Sequence, residues 1–129
     1  MNFEKTEKII KTLKKLNKEA NRVQNVLIDR DWDYGSNYGG NITDGSEDAI
    51  KNIEEFIENK LEEAFDDTLS RLNSALKESM LASKGDIQLS DGRYEKVSRN
   101  NARMAKTDVK LIKESIGKVK TIKVERFYK

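Results

Sequence analysis

Histidine, cysteine and proline are all missing from this sequence. Without histidine the chain lacks the commonest general base, the commonest metal ligand and the ordinary pH switch. Without cysteine it has no disulfide framework and no thiolate chemistry, which suits a reducing compartment. Without proline, no residue breaks a helix by deleting a backbone N–H. Long apolar runs are absent as well. The first residues read MNFEKTEKIIKTLKK, unlike a signal peptide, and nothing has the length of a membrane span. These absences lead us to expect a soluble cytoplasmic protein with no membrane partner, placed in the host cell if a phage encodes it.

Catalytic signatures are equally scarce. No glycine-rich phosphate loop is followed by the Lys-Ser/Thr that such a loop requires. Ser46, in DGSED, has no candidate base near it in sequence. Carboxylate pairs such as Glu54–Glu58 are ordinary on an acidic helix, and two-carboxylate hydrolysis needs a cleft that thin helical hairpins rarely make. We expect no enzyme, no cofactor and no metal.

What the chain has is charge. Of 129 residues, 37% are charged and 36% hydrophobic, yet the net charge is only +2. The distribution carries the information. Residues 1–28 have a net charge of +4, residues 29–83 of −9, and residues 84–129 of +7. A basic–acidic–basic order is a real asymmetry.

Apolar periodicity predicts the fold. Ile9, Leu13, Leu16, Ala20, Val23 and Leu27 step by four and three, a coiled-coil seam on a helix over about residues 3–28. A loop over about 29–45 follows, broken by Gly35, Gly39, Gly40 and Gly45. Ser46 reads as an N-cap with Glu47 and Asp48 behind it. A second helix then extends over about 46–82 through Ile50, Ile53, Ile57, Leu61, Ala64, Phe65, Leu69, Leu72, Leu76 and Met80. Its length would be about 55 Å against about 39 Å for the first helix. It must therefore bend, break near Ser79, or project. Asp91-Gly92 predicts a two-residue turn in a β-hairpin over about 86–97, with Leu89 opposite Tyr94 and Ile87 opposite Lys96. Ser98 caps a third helix over about 98–119, with a seam of Ala102, Ala105, Val109, Ile112, Ile116 and Val119. The tail 120–129 reads equally as strand or helix. The expected fold is mainly α in one domain: a long antiparallel helical hairpin, coiled-coil-like, plus a third helix and a small β-hairpin.

Two groups of residues are candidate sites. In DRDWDYGSNYGGN, Trp32, Tyr34 and Tyr38 sit on a glycine-rich loop. Rigid aromatics give large contact area for little side-chain entropy, so they read as a partner-binding surface, with Tyr94 on the hairpin as a further contact residue. Asp29, Asp31 and Asp33 match the first ligands of a calcium loop, but Tyr34 stands where glycine is needed and Gly40 where a bidentate glutamate is needed. A helix-terminating loop is the reading retained.

The second group is a cationic row on the third helix: Arg99, Arg103, Lys106, Lys110 and Lys113. Lys8, Lys11, Lys15, Lys18 and Arg22 make a similar row on the first helix, and Glu55, Glu58, Glu62 and Asp66 an acidic one on the second. The expectation is that these rows flank the seams and pair, with the acidic helix between the two basic ones. The alternative leaves the third-helix row exposed to bind nucleic-acid phosphates. The expected function is therefore non-enzymatic binding of a macromolecular partner, with a protein partner first and nucleic acid as the alternative. A phage or mobile-element inhibitor of a host protein, or an assembly component, would have this character. Three seams on so charged a chain also lead us to expect a homo-oligomer.

Overall fold

The computed structural model describes residues 3–27, 42–51, 57–88 and 93–125. Within these stretches lie four helices and a two-stranded sheet: α1 (Phe3–Leu27), α2 (Asp44–Lys51), α3 (Ile57–Ser83), β1 (Asp86–Gln88), β2 (Tyr94–Lys96) and α4 (Arg99–Glu125). The fold is mainly α, as the periodicity predicts.

The seam of α1 is buried along its whole length. Ile9, Leu13, Leu16, Ala20, Val23 and Leu27 are all at most 7% exposed. They share one core with Leu61, Phe65 and Leu72 of α3 and Ile112 and Val119 of α4. Each fully buried side chain of this size contributes about 1.5–3 kcal/mol of transfer free energy. The apolar seams thus close within one chain, which removes the argument from unburied surface for an oligomer.

The single helix expected over 46–82 is two helices. α2 ends at Lys51 and α3 begins at Ile57, and α2 folds back along α3 in the opposite direction. Asp44 lies 3.8 Å from Arg71, and Asp48 lies 4.0 Å from Lys60. Between these pairs Gly45 touches α3 so closely that a Cβ there would lie 2.5 Å from the Asp67 carboxylate and 2.7 Å from Asp67 Cβ. The break is not near Ser79, which is buried inside α3 and donates its hydroxyl to the Leu76 carbonyl at 2.9 Å. Breaking the chain after Lys51 resolves the length mismatch. α1, α3 and α4 have 25, 27 and 27 residues, so all three rods are about 38–41 Å long.

The start of α2 also differs. The first helical hydrogen bond is from the Glu47 N–H to the Thr43 carbonyl at 2.9 Å. Ser46 is therefore inside the first turn and is not the cap. It is fully buried and donates its hydroxyl to Asn17 Oδ1 at 2.8 Å. Gln24 Oε1 accepts from the Thr43 N–H at 3.0 Å. These two polar side chains of α1 thus anchor the entry of α2. We expect Gly45→Ala to cost about 1–3 kcal/mol, because α2 must move off α3 to admit the methyl group. Denaturant unfolding measures this loss, and Asp67→Gly in the same chain should recover part of it.

α3 ends at Ser83, and the turn after it closes at Gly85, whose φ of 95° is a left-handed conformation that glycine adopts freely. The hairpin follows, in a register one residue away from the expected one. Asp86 pairs with Lys96, Ile87 with Glu95 and Gln88 with Tyr94. Lys96 Nζ reaches Asp86 Oδ1 across the pair at 3.0 Å. An odd number of residues then separates Gln88 from Tyr94, whereas a two-residue turn at Asp91-Gly92 would leave an even number. The slip exchanges the two faces of one strand relative to the other.

Ser98 caps α4 as expected, its Oγ accepting from the Asn101 N–H at 3.2 Å. The C-terminal segment is helix, not strand, as far as Glu125. Residues 126–129 lie outside the described residues. Among the described residues, no helix is long and apolar enough to cross a membrane.

Candidate nucleic-acid interface

The core face of α4 is rotated from its expected position. Ala105, Asp108, Ile112, Ser115 and Val119 are the buried positions. Ala102, Val109 and Ile116 from the predicted seam are only half-buried. Both sets step by three and four, but the true one contains an aspartate and a serine that an apolar pattern cannot reveal.

This rotation decides where the cations point. At 100° per residue, the row Arg99, Arg103, Lys106, Lys110, Lys113 lies about 180° from the observed core face. It therefore does not flank the seam as interhelical pairing requires. All five side chains are exposed. Among the described residues none of them has an ion pair or a side-chain hydrogen bond. The row covers about 21 Å of helix at 1.5 Å per residue. The expected charge pairing with the acidic helix is thus corrected. Lys123, outside the row, is the cation of α4 that reaches α3, at 3.8 Å from both Glu62 and Asp66.

The order of the rods is corrected with it. α1 and α4, both basic, pack directly on each other. Ser115 donates its hydroxyl to Glu19 Oε2 at 2.8 Å. Glu19 also takes the Arg22 guanidinium, with Nη2 at 2.6 Å, and its side chain is only 10% exposed. The hydrogen bond from Arg22 to Glu19 raises the guanidinium pKa above its ordinary value. At the rim, Lys118 pairs with Glu114 at 3.0 Å and lowers the carboxyl pKa, with a smaller contribution from Arg22. One largely covered carboxylate thus offsets cation repulsion where the two basic helices meet. Lys8, Lys11, Lys15 and Lys18 of α1 remain exposed and without an ion pair among the described residues.

Charge is therefore separated in space. α1 and α4 carry the cationic rows, while α2 and the first half of α3 expose Asp44, Glu47, Asp48, Glu62, Glu63 and Asp66. Trp32, Tyr34 and Tyr38, with Asp29, Asp31 and Asp33, are outside the described residues. Tyr94 begins β2, but its side chain is also outside them. Sequence reasoning missed the Glu19–Arg22–Ser115 cluster. The one available signal was Glu19 and Arg22 at i, i+3 on the flank of the α1 seam. No protein-family model matches this chain, and no curated protein and no solved structure matches it either.

Proposed function

We propose that this chain is a non-enzymatic nucleic-acid-binding protein that holds phosphates along the outer face of α4. The observation supporting this reading is the unpaired row Arg99–Arg103–Lys106–Lys110–Lys113, turned directly away from the core. Cations that stabilise a fold sit beside carboxylates or at helix C-termini. These do neither, and Arg99 and Arg103 lie toward the N-terminal end of α4, where the helix dipole opposes positive charge. An anionic ligand compensates both costs. A straight row of point charges contacts backbone phosphates and has no means of reading base edges, so binding is independent of sequence.

The test is gel retardation of a 30-base-pair duplex in low salt. Wild-type protein retards the duplex. Arg103→Glu with Lys110→Glu abolishes the shift. Lys77→Glu with Lys84→Glu changes net charge equally at exposed positions of α3 and its C-terminal turn, and it leaves the shift in place. Equal losses in both variants would reduce the effect to net charge and overturn the assignment to α4.

A further inference from the structure

Gly117 is the next step of the cationic row's register, four residues beyond Lys113, and it carries neither a charge nor a side chain. It lies inside α4, where glycine costs about 1 kcal/mol relative to alanine. Its φ is not left-handed, and a Cβ there would meet nothing within 4 Å. Among the described residues, nothing requires the side chain to be missing. Gly117 instead lines a groove of about 720 Å³ between α1 and α4, with Ile122 and Thr121 beside it and Lys15, Lys18 and Arg22 on the opposite wall. A second hollow of about 500 Å³ continues it, sharing Lys15 and Ile122 and reaching Lys8, Lys11 and Glu125.

The groove therefore follows α1 from Lys8 to Arg22, about 21 Å or four helical turns. Its surface is mostly carbon, from Ile122 and the stems of the long side chains. Its α1 wall carries Lys8, Lys11, Lys15 and Lys18, exposed and without ion pairs among the described residues. Of the carboxylates beside it, Glu19 and Glu114 are held by Arg22 and Lys118, and Glu125 at the far end of the second hollow is also engaged. An apolar floor with a cationic wall is complementary to an apolar stripe flanked by anions.

We propose that this groove docks an amphipathic helix of a partner protein, four turns long, with acidic residues flanking its apolar face. Helices pack where ridges of one enter the groove of another, and helix-in-groove recognition uses anchors at i, i+3, i+4 and i+7. Gly117 lets the incoming backbone approach α4 closely. The lysines select its sign, since like charges across an interface cost affinity. The site begins where the row Arg99–Lys113 ends, since Gly117 is the next step of the same register, but the lysines that select the peptide are those of α1.

The probe is a fluorescent 18-residue synthetic peptide with leucines at i, i+3, i+4, i+7 and i+11 and glutamates flanking them. Its control carries lysine at every glutamate position. Fluorescence anisotropy at 50 mM salt should give at least tenfold tighter binding of the glutamate peptide. Gly117→Leu puts a bulky side chain at the edge of the groove, where the incoming helix approaches α4, and removes that binding, while Gly117→Ala weakens it and raises the melting temperature. Both variants still retard DNA. Arg103→Glu with Lys110→Glu keeps the peptide. Failure of the glutamate peptide to bind, equal affinity of the two peptides, full binding to Gly117→Leu, or loss of the peptide with the α4 reversal overturns the proposal.

Discussion

Phe65→Ala is expected to destabilise the protein by about 3–5 kcal/mol, the largest single loss available in this core. Phe65 is 0% exposed and is the bulkiest fully buried side chain among the described residues. It sits on α3 where α2 packs on one side, through Gly45 against Asp67, and α4 on the other, through Lys123 to Glu62 and Asp66. Ala64 and Ala49 are buried in the same core, and neither has atoms to move into the vacancy. The space remains open, so the cavity cost adds to the lost transfer free energy. In a domain of this size the melting temperature should fall by about 10–20 °C. Met80→Ala is the control, because Met80 is 40% exposed and surface changes usually stay within about 0.5 kcal/mol. Thermal unfolding followed by circular dichroism measures both. Similar shifts in the two variants would mean that Phe65 does not join the rods.

The α1 seam and the first turns of the α3 seam were legible because hydrophobic burial is written directly in spacing. Further along α3 the buried positions are Thr68, Leu72, Ala75, Ser79 and Ala82, with Leu69 and Leu76 only half-buried and Met80 exposed. Leu13, Leu61 and Ile112 all face the core as the steps of three and four require. What escaped was written in other terms. No glycine or proline marks the break between Lys51 and Ile57, and the apolar steps pass through it without interruption. The local signal was Gly45, read as part of a loop, whose role is to let two helices touch. Length was the better indicator, since one rod of about 55 Å cannot share a core with rods of about 39 Å. The hairpin register depended on how many residues the turn contains, which Asp91-Gly92 does not determine alone.

The α4 error had the larger functional consequence. Reading Val109 and Ile116 as core placed the cations on the flank of the seam, where pairing with the acidic helix follows naturally. The core instead takes Asp108 and Ser115. Ser115 is buried because it completes the acceptor set of Glu19, which in turn holds Arg22. A polar link between two basic helices thus rotates α4 and turns its cationic row toward solvent. Local composition could not reveal this, because the partner of Ser115 is 96 residues away.

Duplex affinity should fall about 500-fold when salt rises from 50 to 200 mM. The figure follows from the geometry of the row. Five cations over about 21 Å can each face a phosphate, and B-DNA presents one charge per about 1.7 Å of axis. Each neutralised phosphate releases condensed counterion, which makes the log–log slope about −0.9 per contact, or about −4.5 for five. A fourfold rise in salt then gives the loss stated. Replacing Lys106 alone by glutamine should bring the slope near −3.6, with little change in preference among sequences. Measuring affinity by anisotropy at four or five salt concentrations gives the slope directly. A slope near −1 would mean that a single contact carries the binding and that the row does not act as a unit. A slope steeper than about −7 would mean that the lysines of α1 join it, since Lys8, Lys11, Lys15 and Lys18 are exposed on the adjacent rod. In that case the glutamate peptide and the duplex would compete, and the two faces would function as one.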